Sequence, residues 1–65
     1  MKYNIGIKYN IGDVVQMNSM WDNRYGVIFE VDDKEEYYPP LYRILIQGNT
    51  NPAWLDDKSI LRKID

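Results

Sequence analysis

Apolar residues in this chain recur at every second position in short runs, and no long window keeps them at i, i+3, i+4 and i+7 without a Gly or Pro interrupting it. The pattern is that of strands. In DVVQM, Val15 and Met17 fall on one face with Gln16 between them. NSMWDNRYG follows, rich in turn formers at Asn18, Ser19, Asp22 and Asn23, and reads as a loop. A second strand runs from Gly26 to Val31. Plain alternation puts Val27, Phe29 and Val31 together with Ile28 and Glu30 opposite, whereas a bulge near Gly26 brings Ile28 inward, and the pattern alone leaves both registers open.

The charged stretch Asp32 to Glu36 leads into a Pro pair that cannot donate to a sheet ladder, so Asp32 to Pro40 reads as a polar hairpin tip. LYRILIQ gives the clearest strand, with Tyr42, Ile44 and Ile46 on one face and Leu41, Arg43 and Leu45 on the other. Both faces are largely apolar, which predicts a central position in a sheet. A GNTNP turn, a short strand from Ala53 to Leu55, a DDKS turn in which Asp56 or Asp57 caps a 3₁₀ turn, and a closing ILRKI strand complete the chain. Five short strands with tight turns predict a small closed or partly open antiparallel barrel, a form that protects sheet edges.

Composition narrows the class. A chain of 65 residues has room for one domain. It contains no Cys and no His, so disulfides and thiolate or imidazole metal sites are absent as stabilisers. Two Trp, six Tyr and one Phe, 14% of the residues, must supply core area instead. The beginning of the chain lacks the apolar run of a secretory leader, and no stretch approaches the ~20 apolar residues of a membrane span, which predicts a soluble, cytoplasmic protein. A net charge of −2 gives no general attraction to nucleic acid or anionic membrane.

Lys2 to Gly6 reads KYNIG and returns as Lys8 to Gly12. The second copy is followed by Asp13 and a strand, so it belongs to the fold, with Gly12 expected at positive φ. Residues 1–7 read either as an N-terminal extension left by duplication or as an added edge strand with Tyr3, Ile5 and Ile7 alternating, and 8–65 as the barrel.

Taken in order from Tyr9 to Ile64, the segments IGDVV, YGVIFEV, YRILI and AWLDDKSILRKI resemble the SH3-like barrels of the KOW and Tudor type, in particular the very small single-domain versions often encoded by bacteriophages. The Gly12-Asp13 pair opening the first strand, Gly26 starting the second, the spacing of Tyr42, Ile44 and Ile46, and Trp54 before the last turn carry the likeness. It implies an all-β, five-stranded SH3-like antiparallel barrel with one 3₁₀ turn before the last strand. In a virus the expected location would be host cytoplasm or virion.

Catalysis is poorly served. Base or nucleophile work would fall to carboxylates, hydroxyls, Lys or Tyr outside any recognisable motif, and the adjacent acids Asp32-Asp33, Glu35-Glu36 and Asp56-Asp57 read as solvated surface. No enzyme activity, cofactor or metal is expected. Aromatics are the better candidates. In the Tudor likeness, Trp21, Tyr25, Tyr42 and Asn49 occupy the positions of a cage for a methylated cation, although Tyr42 also shares parity with core residues. Trp21 reads either as a lid over the core or as a partner contact. Tyr37-Tyr38-Pro39-Pro40 reads as a rigid recognition edge or a stiff turn, and Trp54 as a core or rim residue. The leading expectation is a non-catalytic protein-binding module contacting its partner through Trp21, Tyr25, Tyr37 and Tyr38. The runner-up is a KOW-like RNA or DNA binder using Arg24, Arg43, Arg62 and Lys63, with Lys8 nearby. Homo-oligomers stay open through the first KYNIG copy.

Overall fold

A computed structural model describes residues 8–33 and 39–64. The described residues are all-β apart from two 3₁₀ turns: β1 (Val14–Met17), a turn at Ser19–Trp21, β2 (Tyr25–Asp32), β3 (Leu41–Ile46), β4 (Ala53–Leu55), a turn at Asp57–Ser59, and β5 (Ile60–Ile64). All pairings are antiparallel, in the order β4-β3-β2-β1-β5. The chain thus runs as a meander through β4 and returns to place β5 beside β1. Among the described residues β4 and β5 do not pair with each other, so the sheet is open where a barrel would close.

The sheet nevertheless curls. A flat five-stranded sheet holds its outer strands about 19 Å apart. Here Ile60 of β5 and Leu55 of β4 both reach one core cluster, with Val15, Met17, Ile28, Tyr42, Ile44 and Ile46. Period-two alternation selects most of these residues: Val15 and Met17 on β1, and Tyr42, Ile44 and Ile46 on β3, which is paired on both sides.

A bulge resolves the register of β2. Ile28 pairs with Ile44, but Glu30 pairs with the very next residue, Arg43, so Phe29 is the extra residue. The bulge therefore lies at Phe29, not at Gly26. It keeps Ile28 buried, turns Phe29 out to solvent, and lets Val31, three residues on, return to the core. Gly26 has its own reason. A Cβ there would stand 2.7 Å from Ile44 Cγ2 and 3.1 Å from the Leu45 carbonyl oxygen, so β2 and β3 approach closely only because the side chain is absent. A second irregularity, between Gln16 and Met17, makes Leu61 the extra residue of β5 and leaves Arg62 opposite Gln16.

The second KYNIG copy leads into β1 through a tight turn. The Asn10 N–H donates to Asp13 Oδ2 at 2.9 Å and the Asp13 N–H to the Asn10 carbonyl at 3.0 Å. Gly12 takes φ +95°, the left-handed conformation its place before Asp13 suggested. Upstream, Tyr9 stacks edge-on against Tyr42 at 5.5 Å, the Lys8 N–H donates to the Tyr42 hydroxyl, and Lys8 Nζ pairs with Asp57 at 2.8 Å. The Nζ hydrogen bond to Asp57 and the Asp57 charge raise the Lys8 pKa, while burial pushes the Tyr9 phenol up. Residues 1–7 and the Tyr37-Tyr38 pair lie outside the described residues.

Both 3₁₀ turns are capped. Asn18 accepts from the Met20 N–H and Asp56 from the Lys58 N–H. The second turn is the one the DDKS pattern predicts. The first falls within the segment read as plain loop, and Asn18 ties it to the other turn, its Nδ2 donating to the Lys58 carbonyl and its N–H to that of Ser59.

Candidate functional site

The same alternation that fills the core decides what the opposite face of the sheet shows. On that outward side Ile64, Val14, Val27 and Leu45 are consecutive cross-strand partners, forming an apolar row across β5, β1, β2 and β3. The next row is mixed, with Arg62 opposite Gln16 and Gln16 opposite Tyr25. A third carries Glu30, Arg43 and Trp54 on β2, β3 and β4. Tyr25, Phe29 and Trp54 are 45%, 46% and 46% exposed. An outward sheet face is ordinarily polar. This one carries a continuous apolar band with half-exposed aromatics around it, the kind of patch that marks an interaction surface.

Between β2 and β3 the band deepens into a cleft of about 390 Å³. Tyr25, Val27 and Leu45 form its apolar wall, and Gln47, Gly48 and Asn49 its rim. Polar, uncharged Thr50 and Asn51 continue the rim outward. Among the described residues, no formally charged one lines it. Arg24 holds the rim from behind: its Nε donates to the Trp21 carbonyl at 3.2 Å, and its Nη1 to the Gln47 carbonyl at 3.0 Å and Asn49 Oδ1 at 3.5 Å. One guanidinium thus fastens the 3₁₀ loop to the turn after β3, a two-ended fork that an ammonium cannot reproduce.

The sequence candidates distribute unevenly around this surface. Tyr25 stands on it. Trp21 is half-buried and packs against the core, so the lid reading describes its position. Tyr42 is fully buried on the inner face, opposite in facing to Tyr25, so Trp21, Tyr25, Tyr42 and Asn49 do not form a cage. Trp54, expected in the core or at the rim, lies outside the core: it faces solvent beside Arg43 on the edge strand β4, because β4 pairs in the register Arg43 to Trp54 and sends Leu55 inward. Sequence reasoning also passed over Val14, Val27 and Leu45, whose cross-strand alignment depends on register.

Each basic candidate has its own engagement. Arg24 is fastened as described, Arg43 pairs with Glu30 at 3.0 Å, Arg62 Nε donates to Gln16 Oε1 at 2.9 Å, and Lys63 lies 3.7 Å from Asp13. Among the described residues no three His, Cys, Asp or Glu side chains stand together as metal ligands would, and no helix is long and apolar enough to cross a membrane. No family model matches this chain, and no significant match is found among curated proteins or solved structures.

Proposed function

We propose that the chain is a non-catalytic protein-binding module of the SH3-like kind, contacting its partner through the outward face centred on Tyr25, Val27 and Leu45. One observation carries the reading: the apolar row Ile64, Val14, Val27, Leu45 runs unbroken across four strands on a face turned to solvent. Burying such a row returns roughly 25 cal/mol per Å² of apolar surface, and the adjacent aromatic supplies the rigid, large-area anchor that protein contacts favour. Five antiparallel strands, the return of β5 to β1 and the 3₁₀ turn before β5 support the SH3-like assignment. The nucleic-acid alternative has thinner support, since Arg24, Arg43, Arg62 and Lys63 each engage a neighbour within the chain.

The test is site-specific photocrosslinking in the producing cell, with p-benzoylphenylalanine in place of Tyr25 or, as control, of the exposed Leu61 on β5. The expected result is a discrete, nuclease-resistant protein adduct from position 25 and none from position 61, whether the partner is another protein or a second copy. Adducts consisting only of nucleic acid, or equal at both positions, would refute the reading.

A further inference from the structure

We infer that the cleft beside Tyr25 receives Trp54 of a second copy of this chain, the two copies joining about a two-fold axis with each Trp54 in the other's cleft. The inference rests on the reading of the outward face as a protein contact. Trp54 is 46% exposed and sits opposite Arg43, while the cleft wall is Leu45, two residues further along the same strand β3. Knob and cleft therefore share one face, separated by about 5 Å across the strands and about 7 Å along them. A contact between two patches so placed is made twice in an isologous pair, so any favourable insertion counts double.

The chemistry matches on each side. Among the described residues no charged one lines the cleft, and Trp brings no charge. An inserted indole stacks its apolar body against Tyr25, Val27 and Leu45, and its N–H finds the side-chain amide oxygen of Gln47 at the rim. Arg43, the cross-strand partner of Trp54, is already paired within the chain, its Nη1 donating to Glu30 Oε1 at 3.0 Å, so docking there leaves neither of these two ions without its partner. The area is of the right order. Tyr25, Phe29 and Trp54, each close to half exposed, offer roughly 300 Å² per copy before the aliphatic row is added, against about 800 Å² per partner in a standard interface.

The experiment is sedimentation equilibrium of the full chain between about 5 and 500 µM, at low and high salt. A dimer is expected, little affected by salt. Trp54→Ala removes the knob and Leu45→Lys blocks the cleft, and each is expected to weaken dimerisation about 30-fold or more. Trp54→Phe serves if Trp54→Ala fails to give a native amide spectrum. Mixing the two variants pairs one intact knob with one intact cleft, so the mixed dimer keeps one of the two contacts and is expected to be tighter than either variant's own dimer, though weaker than wild type. A wild type that stays monomeric at the top concentration, a dimer indifferent to both substitutions, or folded variants that do not complement would each overturn the inference. A monomeric wild type that still crosslinks a foreign protein from position 25 overturns the dimer while the contact surface stands.

Discussion

Replacing Tyr42 by Phe separates the two roles its position combines. The ring is fully buried, packs edge-on with Tyr9 at 5.5 Å, and lies opposite Val31 and Leu55 in the sheet. All of that survives in Phe. The hydroxyl does not, and it accepts the Lys8 N–H at 3.0 Å from 34 positions away in the chain, fixing the start of the described segment to the centre of the sheet. Losing a neutral hydrogen bond of this kind costs about 0.5–1.5 kcal/mol. In a domain of this size 1 kcal/mol moves the melting temperature by roughly 4–8 °C. Urea unfolding followed by fluorescence of Trp21 and Trp54 should therefore show a lower midpoint with an unchanged slope, and amide exchange at Lys8 should accelerate while that of Ile44 keeps its protection. Tyr42→Ala, which also empties the core, should cost about 3–5 kcal/mol, as large aromatic deletions do. A Tyr42→Phe protein as stable as the wild type, with Lys8 still protected, would refute the anchoring role. A Tyr42→Ala protein of wild-type stability would refute the assignment of the ring to the core.

Two glycines should fail for different reasons. Gly26→Ala meets Ile44 Cγ2 at 2.7 Å and should lose about 1–3 kcal/mol by overpacking, a loss that Ile44→Val does not relieve, because valine keeps a γ-methyl against the added Cβ. Gly12→Ala has nothing within 4 Å and should lose only the conformational cost of φ +95°, about 1–2 kcal/mol, with the core amide spectrum unchanged. Arg24→Lys should cost about 1 kcal/mol and speed amide exchange at Asn49, because the fork to the Trp21 and Gln47 carbonyls is lost; unchanged exchange there would show that the rim holds itself. Stability should be flat across neutral pH and fall above about pH 10. The Lys8 pKa is raised by the Asp57 hydrogen bond and charge, so its contribution is complete below the unfolded lysine value and disappears as pH climbs through the folded one. Tyr9, raised by burial, acts in the same direction. Asp57→Asn should make that alkaline decline shallower, and an identical pH profile would argue against the pair.

Local pattern was enough to place the five described strands, although Asp32, read as part of the hairpin tip, pairs with Leu41 inside β2, and to choose the side of β1 and β3 that fills the core, since alternation at Val15 and Met17, and at Tyr42, Ile44 and Ile46, translates directly into facing. Turn chemistry likewise determined the left-handed Gly12 and a 3₁₀ turn capped by Asp56 or Asp57, because both depend on residues adjacent in the chain, and the structure selects Asp56 as the cap. The tertiary structure decided whatever depends on pairing between distant segments. The bulge at Phe29 exists because Ile28 and Val31 must both reach the core while Glu30 meets Arg43, a constraint written in β3 and not in β2. Trp54 faces outward because a three-residue strand can send only one parity inward, and the partner register gives that parity to Leu55. The cleft beside Tyr25 was invisible in the sequence for the same reason: its wall joins residues 25, 27 and 45, and its rim on residues 47 and 49 is held by Arg24, some twenty positions away along the chain. A side chain's period can be read along one strand, but the surface it helps to build depends on the register of its neighbours, where a shift of one residue reverses every facing.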